Sequence, residues 1–171
     1  MRKLLFIIAF MLSCSAMYAQ IQRNILGCKL GVSSVKFVED ELKRRGLFGY
    51  RIKEYVVYGQ YGQVEFGGVV WDLVSFNFRD GLLKYVNFTK QTYTSSDYLY
   101  KNLMSALEKK YSQYKSSMDD DAESHCVVYE DKNARIFLCF SGSINTGNGH
   151  LLLKYVDKTY KRTKNKGYDD L

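Results

Sequence analysis

Apolar and polar positions alternate most clearly between Val64 and Thr89, VEFGGVVWDLVSFNFRDGLLKYVNFT, where two β-branched and aromatic segments flank Arg79-Asp80-Gly81. Such a pattern around a short polar tip predicts a β-hairpin. A two-residue Asp80-Gly81 turn sets Phe76 opposite Tyr85 and Val74 opposite Asn87, mixing apolar and polar residues on both faces. A three-residue loop, with Gly81 left-handed in a bulge, sets Phe78 opposite Leu82 instead. Val74, Phe76, Phe78, Leu82, Val86 and Phe88 then share one face, with Asp72 and Lys84 the exceptions. Trp71, Leu73, Ser75, Asn77, Leu83, Tyr85, Asn87 and Thr89 share the other. A one-residue slip carries every side chain to the wrong side, so the segregating register, with the three-residue loop, is expected.

Helical periodicity appears twice. Val35, Val38 and Leu42 fall at i, i+3 and i+7 behind Ser33 or Ser34 as N-cap, with Lys43, Arg44 and Arg45 before a terminating Gly46. Leu99, Leu103, Ala106, Leu107, Tyr111 and Tyr114 form a second stripe, capped from Thr94, Ser95 or Ser96 and ending near Lys115. Tyr50 to Tyr58 reads as a strand turning at Gln60-Tyr61-Gly62, which aligns Val56 and Tyr58 with Val64 and Phe66. Gly67-Gly68 separates that strand from the one spanning Val69 to Arg79. Ser116 to Ser124, with its run of aspartates, reads as an acidic surface loop. Strands follow at His125 to Glu130, Ala134 to Phe140 and His150 to Asp157, the last two joined by the loop 141–149. The order is helix, four strands, helix, three strands (α-β4-α-β3), a degenerate tandem repeat in element pattern only. The expectation is an α+β fold, with two helices packed on one face of a mainly antiparallel sheet in a single domain over 26–157.

Composition changes this picture little. The 171 residues are 46% hydrophobic and 25% charged, without proline, and suffice for a core needing neither metal nor disulfide. Residues 1–19 read as a signal peptide: Arg2 and Lys3, an apolar run from Leu4 to Leu12, then small residues to Ala19. Cleavage after Ala19 is expected. Leu12-Ser13-Cys14 loosely resembles a lipoprotein box, so lipidation of Cys14 is the rival processing route. The formal charge of +7 falls to +5 without Arg2 and Lys3, and the basic tail 158–171 holds +3 of that. About +2 remains on the folded part, no footprint for nucleic acid. The tail lacks apolar periodicity and reads as disordered.

Among candidate chemistries the cysteines carry the most specific geometry. A Lys132-Asn133 tip sets Cys126 opposite Cys139 on a non-hydrogen-bonded pair, where side chains are closest. With export, a Cys126–Cys139 disulfide is expected, with Cys28 left over or itself the partner of one of them. His125, Cys126, His150 and Asp119 to Asp121 lack the spacings of a metal site, and no cofactor motif occurs. A Cys28–His nucleophile has no supporting arrangement either, so the chain is not expected to be an enzyme. What remains is the second face of the sheet. Tyr55, Trp71, Leu73, Leu83 and Tyr85 are placed there together amid polar residues, the composition of a protein-binding patch.

Leu30-Gly31-Val32-Ser33 opening a short helix that ends at Gly46 resembles the start of small exported proteins of the β-lactamase-inhibitor-protein-like class. The run Phe66-Gly67-Gly68, Trp71, Phe76, Phe78, Leu83, Val86, Phe88 is similar to the strands that follow in them. The outer-membrane assembly small-lipoprotein family shares this repeat type, a helical segment followed by antiparallel strands. The resemblance implies an α+β fold and a binding role through an open sheet face. The expected function is thus that of a non-catalytic, exported cell-envelope protein, periplasmic or secreted, that binds another envelope or secreted protein. The alternative is a structural protein touching the membrane surface through its basic tail or a lipid on Cys14.

Overall fold

The computed structural model describes residues 20–47, 49–52, 55–58, 64–92, 96–120, 124–143 and 148–159. The leader with Cys14, the turn at Gln60-Tyr61-Gly62, the capping positions Thr94 and Ser95, Asp121 and the tail from Tyr160 lie outside the described residues.

The described residues form two α-helices and a mainly antiparallel sheet. A short hairpin comes first, β1 (Asn24–Ile25) and β2 (Cys28–Lys29). The helix α1 (Val35–Arg44) follows, its N-terminus closed by Ser34 Oγ accepting from the Phe37 amide. Gly46, at φ 72°, ends it. The chain then forms β3 (Gly49–Ile52), β4 (Tyr55–Tyr58), a hairpin of β5 (Val64–Phe66) and β6 (Val69–Trp71), β7 (Leu73–Arg79) and β8 (Leu82–Thr92). Next come α2 (Ser96–Tyr111), a 3-10 turn over Ser112–Tyr114, β9 (Lys115–Asp120), β10 (Ser124–Glu130), β11 (Ala134–Ser143) and β12 (Asn148–Asp157).

Eight strands form one sheet in the order β3-β4-β7-β8-β12-β11-β10-β9, every neighbouring pair antiparallel. The pairing of β8 with β12 closes the middle. One face of this sheet is core: Val74, Phe76, Phe78, Leu83, Val86, Phe88, Leu151, Leu153, Tyr155, Ile136, Leu138, Phe140, Val127 and Tyr129 are all buried. Val38 and Leu42 of α1, and Tyr100, Leu103, Leu107 and Tyr111 of α2, are buried in the same core. The Tyr100 ring lies 6.4 Å from that of Phe140, and Tyr129 donates to Glu108 across 2.8 Å. Ala106, expected in the α2 stripe, is exposed, and Tyr100 takes its place.

The central hairpin departs from expectation at its tip. Asp80 and Gly81 are both left-handed, at φ 52° and 76°, so the turn has two residues and is of the primed kind. Arg79 faces Leu82 and Phe78 faces Leu83. A bulge at Lys84 then shifts the register, and Phe76 faces Val86. The extra residue restores segregation of the faces, which a uniform ladder from a two-residue turn lacks. Leu83 is therefore buried and Leu82 is 41% exposed, the reverse of what the three-residue loop implied.

Trp71 is the second correction. The expected strand over Val69–Arg79 breaks at Asp72, whose amide donates to the Thr89 carbonyl and whose carboxylate accepts from the Gln91 amide at 2.7 Å. Ahead of that break, Trp71 belongs to the β5–β6 hairpin, opposite Val64. It is fully buried, 5.5 Å from the Phe88 ring, with its Nε1 donating to the Phe66 carbonyl. Phe66 stacks on Phe88 at 4.5 Å, so the small hairpin lies on the core side. Accordingly β4 pairs with β7, Val56 facing Phe76, and not with the Val64–Phe66 strand.

The described part of the acidic segment after α2, up to Asp120, is also not a loop. Lys115–Asp120 is the edge strand β9, paired with β10. Ser and Asp have low strand propensity, so the pairing comes from the neighbouring ladder, and a polar edge suits an unpaired side. β11 and β12 likewise extend past their expected ends, pairing as far as Ser143 with Asn148.

Candidate functional site

The face of the sheet opposite the core is the one surface that gathers the sequence-predicted residues. Strand parity places Ser75, Asn87, Lys154, Phe137 and Val128 in one row across β7, β8, β12, β11 and β10. Leu73, Thr89, Leu152, Cys139 and Cys126 form a second row. Asn77, Tyr85, Val156, Arg135 and Glu130 form a third. None of these side chains is buried, whereas their neighbours one residue along the strand are core.

Of the five residues expected here, Leu73 is 37% exposed and Tyr85 half-buried on this face. Tyr55 sits opposite Asn77 in β4, with its side chain outside the described residues. Trp71 and Leu83 are completely buried and belong to the core instead. The expected disulfide joins Cys126 to Cys139, whose Cα atoms are 4.1 Å apart. It lies half-exposed beside Leu152, and the Lys132-Asn133 tip that sets its register is closed by Asp131 Oδ1 accepting from the Asn133 and Ala134 amides.

Sequence reasoning missed Phe137, Leu152, Lys154 and Val156. A signal for Phe137 was present, because residues two apart in a strand share a face and Cys139 was already placed. The continuous apolar run Ile136–Phe140 hid it. The β12 residues could be joined to Tyr85 only through the β8–β12 pairing, which links segments some sixty residues apart.

The charges on this face are unevenly satisfied. Glu130 serves both Arg135 and Lys158, and these hydrogen bonds, that from Arg135 first, hold its carboxyl below the usual carboxylate range. Lys154 Nζ stands 4.4 Å from the Tyr85 ring centroid and 6.0 Å from that of Phe137. Arg135 approaches Phe137 from its other neighbour, at 5.6 Å. Cations over aromatic faces gain about 0.5–1 kcal/mol at exposed sites, enough to fix a rotamer without neutralising the charge. No carboxylate pairs with Lys154 among the described residues.

Elsewhere the polar groups hold the fold together. Asp157, nearly inaccessible, receives Arg23 at 2.7 Å and has Lys84 Nζ at 3.8 Å, tying the lead-in and the β8 bulge to the end of β12. Burial pushes the Lys84 ammonium below its ordinary value, with Asp157 opposing. Cys28 is a buried free thiol pushed up to about 11, chiefly by burial and further by Glu41, so it stays protonated near neutrality. Cys126 is committed to its disulfide, and among the described residues no three His, Cys, Asp or Glu side chains converge as metal ligands. No described helix is long and apolar enough to cross a membrane. Comparison with known proteins found no matching family model, no matching curated protein and no matching solved structure.

Proposed function

We propose that the protein is a non-catalytic, exported cell-envelope protein that binds another protein through the open sheet face. One observation carries the reading. Leu73 is exposed and Tyr85, Phe137, Leu152 and Val156 are partly exposed, together on the side away from the core. Apolar side chains in such numbers on one face are worth covering, and aromatic residues amid Asn, Ser and Thr are what protein interfaces use. Trp71 and Leu83 drop out of the proposed contact set, Phe137, Leu152 and Val156 enter it, and Tyr55 stays at its margin. The leader-like residues 1–19 support export, with which a disulfide is compatible.

The same reading takes both helices to cover one face, leaving the other for the partner. It also takes the chain to be a degenerate tandem repeat. Each helix is followed by four strands of the main sheet, and the two sets meet back to back at β8 and β12, with the β5–β6 hairpin as an insertion in the first. The resemblance to inhibitor-like and assembly-like exported proteins implies a binding role through an open sheet, and this reading adopts it.

A photo-crosslinking amino acid at Tyr85 or Phe137, in cells, is expected to capture one protein species that the same group at exposed Lys101 does not. That species, once purified, should bind the unmodified protein and lose affinity for the Phe137→Arg variant. Equal capture from position 101, or undiminished binding to Phe137→Arg, defeats the reading.

A further inference from the structure

Lys154 sits at the centre of the open face, with Asn87 and Phe137 on the strands to either side and Leu152 and Val156 above and below it. None of the four carries a charge. Of the carboxylates on this face, Glu130 is already shared between Arg135 and Lys158, and Asp119 lies three strands away from β12, on β9 opposite Cys126. The Tyr85 and Phe137 rings steer the ammonium but leave its full charge. In the free protein water reaches that charge, as the side chain is partly exposed. A partner covering the aromatic and aliphatic residues around it must also strip this water. An apolar surface laid over Lys154 would bury an unpaired cation, which costs more than the flanking apolar area returns.

We propose that Lys154 is the anchor for a carboxylate of the partner. The open face then takes a protein segment in which an Asp or Glu is flanked by aliphatic or aromatic side chains. The acid pairs with Lys154, and its neighbours cover Tyr85 towards β8, Phe137 towards β11 and Leu152 along β12. This rests on the open face being a protein-binding surface. It adds the chemistry of what binds.

A random twelve-residue peptide library displayed on phage tests both layers separately. Selected on the unmodified protein, it should yield peptides with an acidic residue between apolar ones, whose binding is lost with Leu152→Arg or Leu73→Arg, circular dichroism confirming that each variant folds. Lys154→Gln should weaken these peptides about tenfold, the scale of a charge-assisted contact. Lys154→Glu should turn the selection towards Lys and Arg. Peptides lost with Leu152→Arg but without an acidic position, or indifferent to Lys154→Gln, overturn the Lys154 assignment and spare the binding face. Peptides unaffected by both arginine variants, or a library yielding no binder, overturn both. The chain's own end, Tyr168-Asp169-Asp170-Leu171, offers the same chemistry. A rise of about tenfold in peptide affinity with Asp169→Asn and Asp170→Asn together would make that segment the occupant and overturn a separate partner.

Discussion

The hairpins β7–β8 and β10–β11 are built alike and behave differently. Both turn through two residues, Asp80-Gly81 in one and Lys132-Asn133 in the other. From its tip, β10–β11 runs in an unbroken register to Ser124 opposite Ser141. The β7–β8 ladder is interrupted after two pairs by Lys84. The difference lies in what each hairpin meets. At Leu83 the loop after β2 pairs with the β8 backbone: Gly31 donates to the Leu83 carbonyl, and the Leu83 amide donates to Ser33. Lys84 turns to the Asp157 carbonyl and lies near its carboxylate. β8 thus serves two partners near its start, and the bulge is how one strand does so. Where β10–β11 meets the lead-in, the contact at its tip is a side chain, Asp131 Oδ2 accepting from the Ile21 amide, and its ladder stays regular.

The largest expected effect tests whether the β7–β8 half is anchored through its core side. Trp71→Ala removes a fully buried indole and should destabilise the protein by about 3–5 kcal/mol in urea unfolding followed by circular dichroism. Tyr85→Ala, two strands of residues later on the open face, should cost under about 1 kcal/mol. Near-equal losses would erase the distinction between the faces.

Next comes the tie at the bulge. Asp157→Ala leaves Arg23 and Lys84 facing each other without their shared carboxylate and should cost about 3 kcal/mol, towards the low end for a broken buried pair because Arg23 is partly exposed. Glu130→Ala, at the base of β10–β11 and more exposed, should cost about 1 kcal/mol or less. Amide hydrogen exchange should then show the Asp157 variant opening first around Leu83, and Glu130→Ala leaving that region protected.

Removing the disulfide should matter less to the register than to stability. With the cysteines at a sequence separation of 13, the Cys126→Ser, Cys139→Ser double variant should lose about 2 kcal/mol. The β10–β11 ladder should persist, because its tip and not its cross-link sets the pairing. Nuclear Overhauser contacts between the two strands check this, and a shifted register would mean that the disulfide chooses it.

The smallest effect is electrostatic. The Glu130 carboxyl titrates below its unfolded value, so its stabilisation is present above the ordinary carboxylate pKa and fades as pH falls through the depressed one. Glu130→Gln should slightly flatten the acid limb of the stability profile. An unchanged acid limb would remove Glu130 as a contributor.

Local signals by themselves determined a good deal of this protein. Ser34 and Gly46 bound α1, the Lys132-Asn133 tip sets Cys126 against Cys139, and the α+β class follows from two helical stripes among alternating segments. Each of these depends on residues close in the chain, where hydrogen bonds and side-chain parity act within a few positions. What only the tertiary structure decided required a distant segment. Trp71 is core because Asp72 bends the chain against Thr89 and Gln91. Leu83 is core because the loop after β2 claims its backbone and Lys84 bulges towards Asp157. Serines and aspartates form β9 because β10 offers an unpaired edge. Phe137, Lys154 and Tyr85 become neighbours only when β12 docks between β8 and β11, a pairing whose hydrogen bonds join segments too far apart for periodicity to register.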